Sequence, residues 1–264
     1  DKKASADIVA SNGAERGAAN VHKKLLPNSD ALKAIIEHAS LMHRTHTHMT
    51  MPWADKGDRL LTTAMYMKYH NEMTTLQNKF YALVDTFGDD YVLEHAEAQV
   101  HIGDMYDPSD YPSVEELLSK FKCVITYSPL PESGDFRVDL PKEAIAELQT
   151  SYVNYYEEKT KRAMNDIWER LYKVLKNMSD KLDYTDKENK KVFRDTLVSN
   201  VTDMVELLRV SNVANSTQMT AMADQLEEAL VGVTPDALRE DDYFRAETKQ
   251  AVDKAIANLP SLDI

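Results

Sequence analysis

The chain has 264 residues, 43% hydrophobic and 28% charged, with a formal net charge of −13. This balance excludes a disordered chain and argues against non-specific nucleic-acid binding, which needs Lys and Arg to displace counterions. A single cysteine excludes an intramolecular disulfide and fits a reducing compartment, and seven glycines and nine prolines are too few for a turn-rich all-β fold.

No apolar run approaches the roughly 20 residues of a membrane-spanning helix, and no charged-then-apolar signal segment opens the chain. The first residue is Asp1, so it is not expected to mark the start of translation. Charge is uneven. Nine Lys/Arg stand against seven Asp/Glu through Arg59, but four against ten over Asp224–Ile264. A basic, His-rich front and an acidic back could pair, although solvated faces are the simpler reading.

Residues 1–27 are small and polar at the start and are expected to form a mobile segment. Asn28, Ser29 and Asp30 offer helix caps after Pro27. The helix that follows is read with a seam at Leu32, Ile36, Ala39, His43, His46 and Thr50, turning polar toward Pro52–Trp53. MPWADKGDRLL is a loop, with Pro52 and Gly57 as breakers and Asp58 as a cap. The clearest periodicity follows: Leu61, Met65, Tyr69, Met73, Leu76, Phe80, Leu83, Phe87 and Tyr91 alternate by threes and fours along one stripe. Gly88 is a kink point and Gly103 a stop.

Pro108 and Pro112 mark a loop, and Ser113 with Glu116 forms a capping box before VEELLSK. A β-hairpin is then predicted over residues 121–140. Phe121, Cys123, Ile125 and Tyr127 share one face of the first strand, and Phe136, Val138 and Leu140 one face of the return strand. Pro141 opens a helix of about 40 residues, roughly 60 Å long, with a stripe from Ile145 through Leu148, Tyr152, Tyr155, Ala163, Ile167 and Leu171 to Leu182. Two helices of such length joined by a short excursion are expected to pack antiparallel with the hairpin at one tip. Thr185 and Glu188 form a second capping box. Further helices use Phe193–Leu208, Met219–Leu230 and Ala251–Leu259.

The predicted fold is therefore mainly α: an elongated long-helix antiparallel bundle with one inserted β-hairpin. Residues 28–210 form the bundle, and residues 211–264 an acidic helical segment packed on it.

Catalytic and metal signatures are weak. His43 and His46 are one turn apart, but zinc takes three or four ligands and no Cys is near. His48 points elsewhere, and Glu97–His101 is an isolated pair. The HRTHTH run reads as a polar helix seam, with a pH-sensitive contact as the sharper option. There is no phosphate loop, no dinucleotide fingerprint and no serine elbow. Cys123 reads as a structural thiol, and the adjacent pairs Glu157–Glu158 and Asp241–Asp242 diverge on helices. No catalytic, cofactor or metal residue is assigned.

Tyr152, Tyr155, Tyr156 and Trp168 lie among Lys159, Lys161 and Arg162, a pattern that can stack single-stranded bases but more often builds a core or interface. The hairpin is either a cap over helix ends or an interaction tip with an open edge. Its contact residues are expected to be Tyr127, Phe136 and Arg137.

From MPWADKGDRLL through GDMYDPSDYPSVEELLSKF to PLPESGDFRVDL, and on through WERLY and FRDTLVSNV, the chain resembles a family of uncharacterised tailed-phage proteins. Pro52-Trp53, Gly57, Arg59-Leu60-Leu61, DPSDYP and GDFRV carry the resemblance over roughly residues 52–210. Members look like neighbours of a MoxR-type AAA+ ATPase and a von Willebrand A-type protein. The family has no established activity; the lack of catalytic motifs, the hairpin tip and the helix faces lead to the expectation of a non-enzymatic, phage-encoded adaptor or assembly protein in the host cytoplasm. It would bind protein partners, an AAA+ ATPase among them, and could be a homo-oligomer. The alternatives are a single-stranded DNA-binding accessory and a helical pore-forming-like protein.

Overall fold

The computed structural model describes residues 2–15, 17–54, 57–130, 142–184 and 191–261. It is mainly α with one two-stranded antiparallel hairpin among the described residues, as the sequence predicts. The chain forms two compact units, one of residues 1–44 and 72–127, the other of residues 45–71 and 128–264.

The first unit contains α1 (Lys2–Ser11), the front of α2 (Asp30–Met49), most of α3 (Thr63–Ile102) and α4 (Val114–Ser119). Ser29 caps α2: its Oγ accepts from the Leu32 N–H at 3.0 Å. The buried row of α2 is Ile35, Met42 and Met49, while Ile36, Ala39 and His43 are exposed. The expected seam was thus one residue out of phase. Ile35 and Ile36 are adjacent and equally apolar, and one residue is a 100° turn of the helix. His38, half-buried, donates its Nε2–H to the Leu76 carbonyl at 2.8 Å.

The α3 stripe buries Met65, Tyr69, Met73, Leu76, Phe80, Phe87 and Tyr91 as the spacing predicts, and continues to Ala98 and Ile102. Gly88 does not break it. A Cβ at Gly88 would sit 3.0 Å from Leu118 Cδ1, so the glycine gives α4 room to approach α3. Gly103, at φ +58°, ends the helix. Ser113 caps α4, accepting from the Glu116 N–H at 3.2 Å.

The hairpin lies elsewhere than predicted. Its strands are β1 (Met51–Pro52) and β2 (Arg59–Leu60), pairing Met51 with Leu60 and Pro52 with Arg59. Gly57, at φ +97°, supplies the left-handed residue of the turn. Residues 121–130 form no strand ladder. The predicted return strand, with Phe136 and Arg137, and Pro141 lie outside the described residues. The reason visible at 121–127 is that side chains of α3, not a second strand, hold the Cys123 backbone.

The second unit contains α5 (Lys142–Leu182), α6 (Thr196–Val210), α7 (Thr217–Ala229), α8 (Pro235–Glu240) and α9 (Asp242–Ala257). α5 packs on α6, α9 and β1; α6 packs on α7, and α9 on both α7 and α8. The core uses Ile167, Leu171, Leu175 and Met178 from α5, Leu208 from α6, Met219 and Leu226 from α7 and Leu238 from α8. Among the described side chains of α5, full burial starts only at Ala163, and Leu148, Val153 and Tyr155 are exposed. The front of the expected α5 stripe is therefore not core. Ser216, Thr234 and Asp241 cap α7, α8 and α9. The Thr185–Glu188 capping box lies outside the described residues. Among those residues, no helix is long and apolar enough to cross a membrane.

Candidate interaction surface

The segment that follows α4 in the first unit is set against α3 by specific contacts. The Phe121 ring meets the Phe87 ring edge-on, with centroids 5.8 Å apart. Gln77 and Tyr81, one turn apart on α3, hold the next odd residue. Gln77 Nε2 donates to the Cys123 carbonyl at 2.8 Å, and the Tyr81 hydroxyl donates to it at 3.3 Å. The Cys123 N–H lies 3.2 Å from the same hydroxyl. Val124 is left 80% exposed, and Tyr127 43%.

Phe121 also lines a groove of about 970 Å³, together with Ile36, Phe87, Tyr91, Tyr111 and Leu117. The groove mixes these apolar side chains with Lys24, Lys33, Glu37 and Asp110, and its tyrosine hydroxyls are already committed. Tyr91 donates to the Pro112 carbonyl at 3.0 Å and Tyr111 to the Leu25 carbonyl at 2.9 Å. Burial pushes the pKa of both phenols up. Ile36, 57% exposed, is an α2 residue whose apolar side chain has no place in the helix seam.

Of the predicted contact residues, Tyr127 is thus on a described, exposed segment, and Phe136 and Arg137 lie outside the described residues. Cys123 is half-buried, and burial raises its thiol pKa against a smaller lowering from Gln77. A raised pKa withholds the thiolate that a nucleophile needs.

The histidines do not converge. His43 and His48 are exposed, whereas His46 Nδ1 lies 2.8 Å from the Tyr69 hydroxyl. His101 Nε2 is 4.0 Å from the Glu97 carboxylate, its neighbour one turn away. His95 stacks on Tyr111 at 4.5 Å and lies 3.1 Å from the Tyr106 hydroxyl. No group of three or more His, Cys, Asp or Glu among the described residues could hold a metal ion.

In the second unit the aromatic–basic pattern divides. Trp168 is 5% exposed and belongs to the core. Trp53, just past β1, instead meets Tyr156 at 5.6 Å, Tyr152 meets Tyr156 at 4.3 Å, and Lys159 Nζ lies 5.2 Å over the Tyr155 ring. Asp241 and Asp242 have structural partners: the first caps α9 through the Phe244 N–H at 2.9 Å, the second pairs with Arg245 at 2.6 Å. The acidic C-terminal helices carry their own counter-charges, Arg209 with Glu227 and Asp224 at 2.7 Å each and Lys249 with Asp253 at 2.7 Å.

Two arginines were given no structural role by the sequence. Arg59 of β2 donates to the Thr50 carbonyl at 2.9 Å and the Thr47 carbonyl at 3.2 Å, and its Nε to Thr50 Oγ1 at 2.6 Å. Arg170 of α5 donates to the His48 and Thr50 carbonyls, both at 3.0 Å, and pairs with Asp166 at 2.5 Å. For Arg59 the only sequence signal was a basic residue ten positions after Met49, the end of α2. No protein-family model, no curated protein and no solved structure matches the chain.

Proposed function

We propose that the chain is a non-enzymatic, phage-encoded adaptor or assembly protein that binds protein partners in the host cytoplasm, a MoxR-type AAA+ ATPase among them. The observation that carries this reading is the exposed apolar surface of the first unit. Val124 and Tyr127 project from a segment held on α3, and that segment shares Phe121 with a groove that Ile36, Phe87 and Leu117 also line. Exposed apolar residues of this kind, next to a groove, fit protein recognition better than chemistry. Tyr127, Phe136 and Arg137 are assigned as contact residues, the latter two from sequence alone.

The Trp53–Tyr156 cluster with Lys159 favours a second reading, a single-stranded DNA-binding accessory in phage DNA metabolism. The net charge of −13 opposes it.

Affinity capture of the tagged chain from infected cells, with nuclease treatment and mass spectrometry, separates the two. The adaptor reading expects stoichiometric recovery of a phage ATPase after nuclease. Arg137→Glu is then expected to weaken binding by about tenfold with an unchanged melting temperature. Recovery of DNA-bound proteins only when nuclease is omitted would replace the adaptor with the nucleic-acid reading.

A further inference from the structure

Over its C-terminal turns α3 is apolar on two faces. Phe87, Tyr91, Ala98 and Ile102 turn inward, whereas Val92, Leu93 and Val100 are 64%, 66% and 84% exposed, with Ala96 exposed between them. Their spacing puts these four side chains on one side of the helix, in a row of about 12 Å at 1.5 Å per residue. A helix that is apolar all round is ordinarily a covered one. The charge beside the row is of one sign. Between Lys79 and Lys120 the chain has ten Asp/Glu and no Lys or Arg. Asp85 and Asp89 continue the row toward the N-terminus, Glu97 flanks it and Asp104 lies just past its end; all four are exposed. Asp85, Asp89 and Asp104 have no ion-pair partner among the described residues, and Glu97 has only His101, at 4.0 Å.

We propose that this outer face of α3 binds a basic amphipathic helix of a protein partner. The partner's apolar stripe lies on Val92, Leu93, Ala96 and Val100, and its Lys and Arg residues meet the bordering carboxylates. The shape fits. A helix lays i, i+3, i+4 and i+7 side chains along such a row, and the small Ala96 at its middle lets the two axes come close. The charge chooses the occupant. A second copy would bring its own Asp85, Asp89 and Glu97 against these, in a chain whose net charge is −13. Residues 131–140 of the same chain carry Glu132, Asp135 and Asp139 against Arg137 alone, so they meet the same repulsion. An anionic lipid surface is repelled likewise. A cationic helix is instead attracted, and the apolar row fixes where it lands.

This inference stands apart from the adaptor reading. The row lies on the side of α3 away from the groove-lining Phe87 and Tyr91, and the purified full chain tests it. The probe is a labelled synthetic helix with leucine at i, i+3, i+4 and i+7 spacing and lysine elsewhere, followed by fluorescence anisotropy. It is expected to bind with a dissociation constant in the micromolar range, more weakly as salt rises. Leu93→Gln combined with Val100→Gln changes only exposed side chains, and is expected to weaken binding by about tenfold without lowering the melting temperature. Asp89→Asn combined with Glu97→Gln is expected to weaken it by about threefold and to flatten the salt dependence. Ile36→Gln, in the groove, is expected to leave it unchanged. A peptide of the same composition in scrambled order is expected to bind about tenfold more weakly. Equal binding of the scrambled peptide, or undiminished binding to the Leu93 and Val100 double variant, reduces the attraction to net charge and overturns the proposal. So does self-association of the chain, or binding to phosphatidylcholine vesicles, that the same double variant abolishes, since the face then belongs to another occupant.

Discussion

Gly88 illustrates what one residue decides. It lies inside a 40-residue helix, where glycine costs about 1 kcal/mol relative to alanine. The structure gives the compensation: a Cβ there would meet two terminal carbons of Leu118, at 3.0 and 3.1 Å. Leu118 is half-buried, so its side-chain end can give by the few tenths of an ångström required. Gly88→Ala is therefore expected to be neutral to mildly stabilising, by about 0.5 kcal/mol, in urea unfolding. Gly88→Val cannot be absorbed by the same small shift and is expected to cost about 1–3 kcal/mol. An alanine penalty as large as the valine one would mean that α4 is held rigidly against α3. Sequence reasoning saw the glycine but read it as a kink, because nothing along the chain announces an approach from 30 residues away. Arg245 was equally hidden. It is 2% exposed, stacked 3.9 Å over the Tyr184 ring and bonded to Asp242 and the Leu238 carbonyl. A charge buried by aromatic stacking leaves no periodic trace.

At the scale of elements, legibility followed the length of the pattern. The α3 stripe repeats over many turns, so its phase was fixed by redundancy. The α2 seam is short, and one adjacent pair of isoleucines left its phase open. The long loop MPWADKGDRLL hid a hairpin of two residues per strand, too short to show alternation. That hairpin positions Arg59, and with Arg170 it closes the C-terminal end of α2. Thr47, His48 and Thr50 carbonyls, which have no partner within the helix ladder, each receive a guanidinium hydrogen bond. Burial lowers the Arg59 pKa, the Arg170 charge lowers it further, and Asp166 partly offsets both. Even so, a guanidinium stays charged at neutral pH. Arg59→Ala leaves the Thr47 carbonyl and Thr50 Oγ1 without that donor. It is expected to cost about 1.5–3 kcal/mol, seen as a lower melting temperature. Arg59→Lys should recover less than half of this, since one ammonium cannot span the positions that the guanidinium fork reaches. Unchanged melting for Arg59→Ala would mean that water serves these groups equally well.

For the whole molecule, the deciding quantity is the formal net charge of −13. Two electrostatic effects compete. The ion pairs favour low salt, but many are exposed: Lys68 and Glu206 are 57% and 49% exposed, and Arg209 pairs with Asp224 and Glu227 at the surface. Such pairs contribute about 0–1 kcal/mol each and several contribute nothing measurable. Against them stands the mutual repulsion of an excess of thirteen carboxylates over cations, which acts on the folded state as a whole and is relieved by screening. Raising sodium chloride from about 0.05 to 0.5 M shortens the Debye length from roughly 14 to 4 Å, which removes most of that repulsion while leaving contacts near 3 Å partly intact. The melting temperature is therefore expected to rise with salt by a few degrees, since about 1 kcal/mol moves a chain of this size by about 2–4 °C. A fall would place the balance with the surface pairs. The prime suspect would then be Arg209, whose charged form is held by Glu227 first and Asp224 second, and Arg209→Gln would be the variant expected to reduce the salt dependence most.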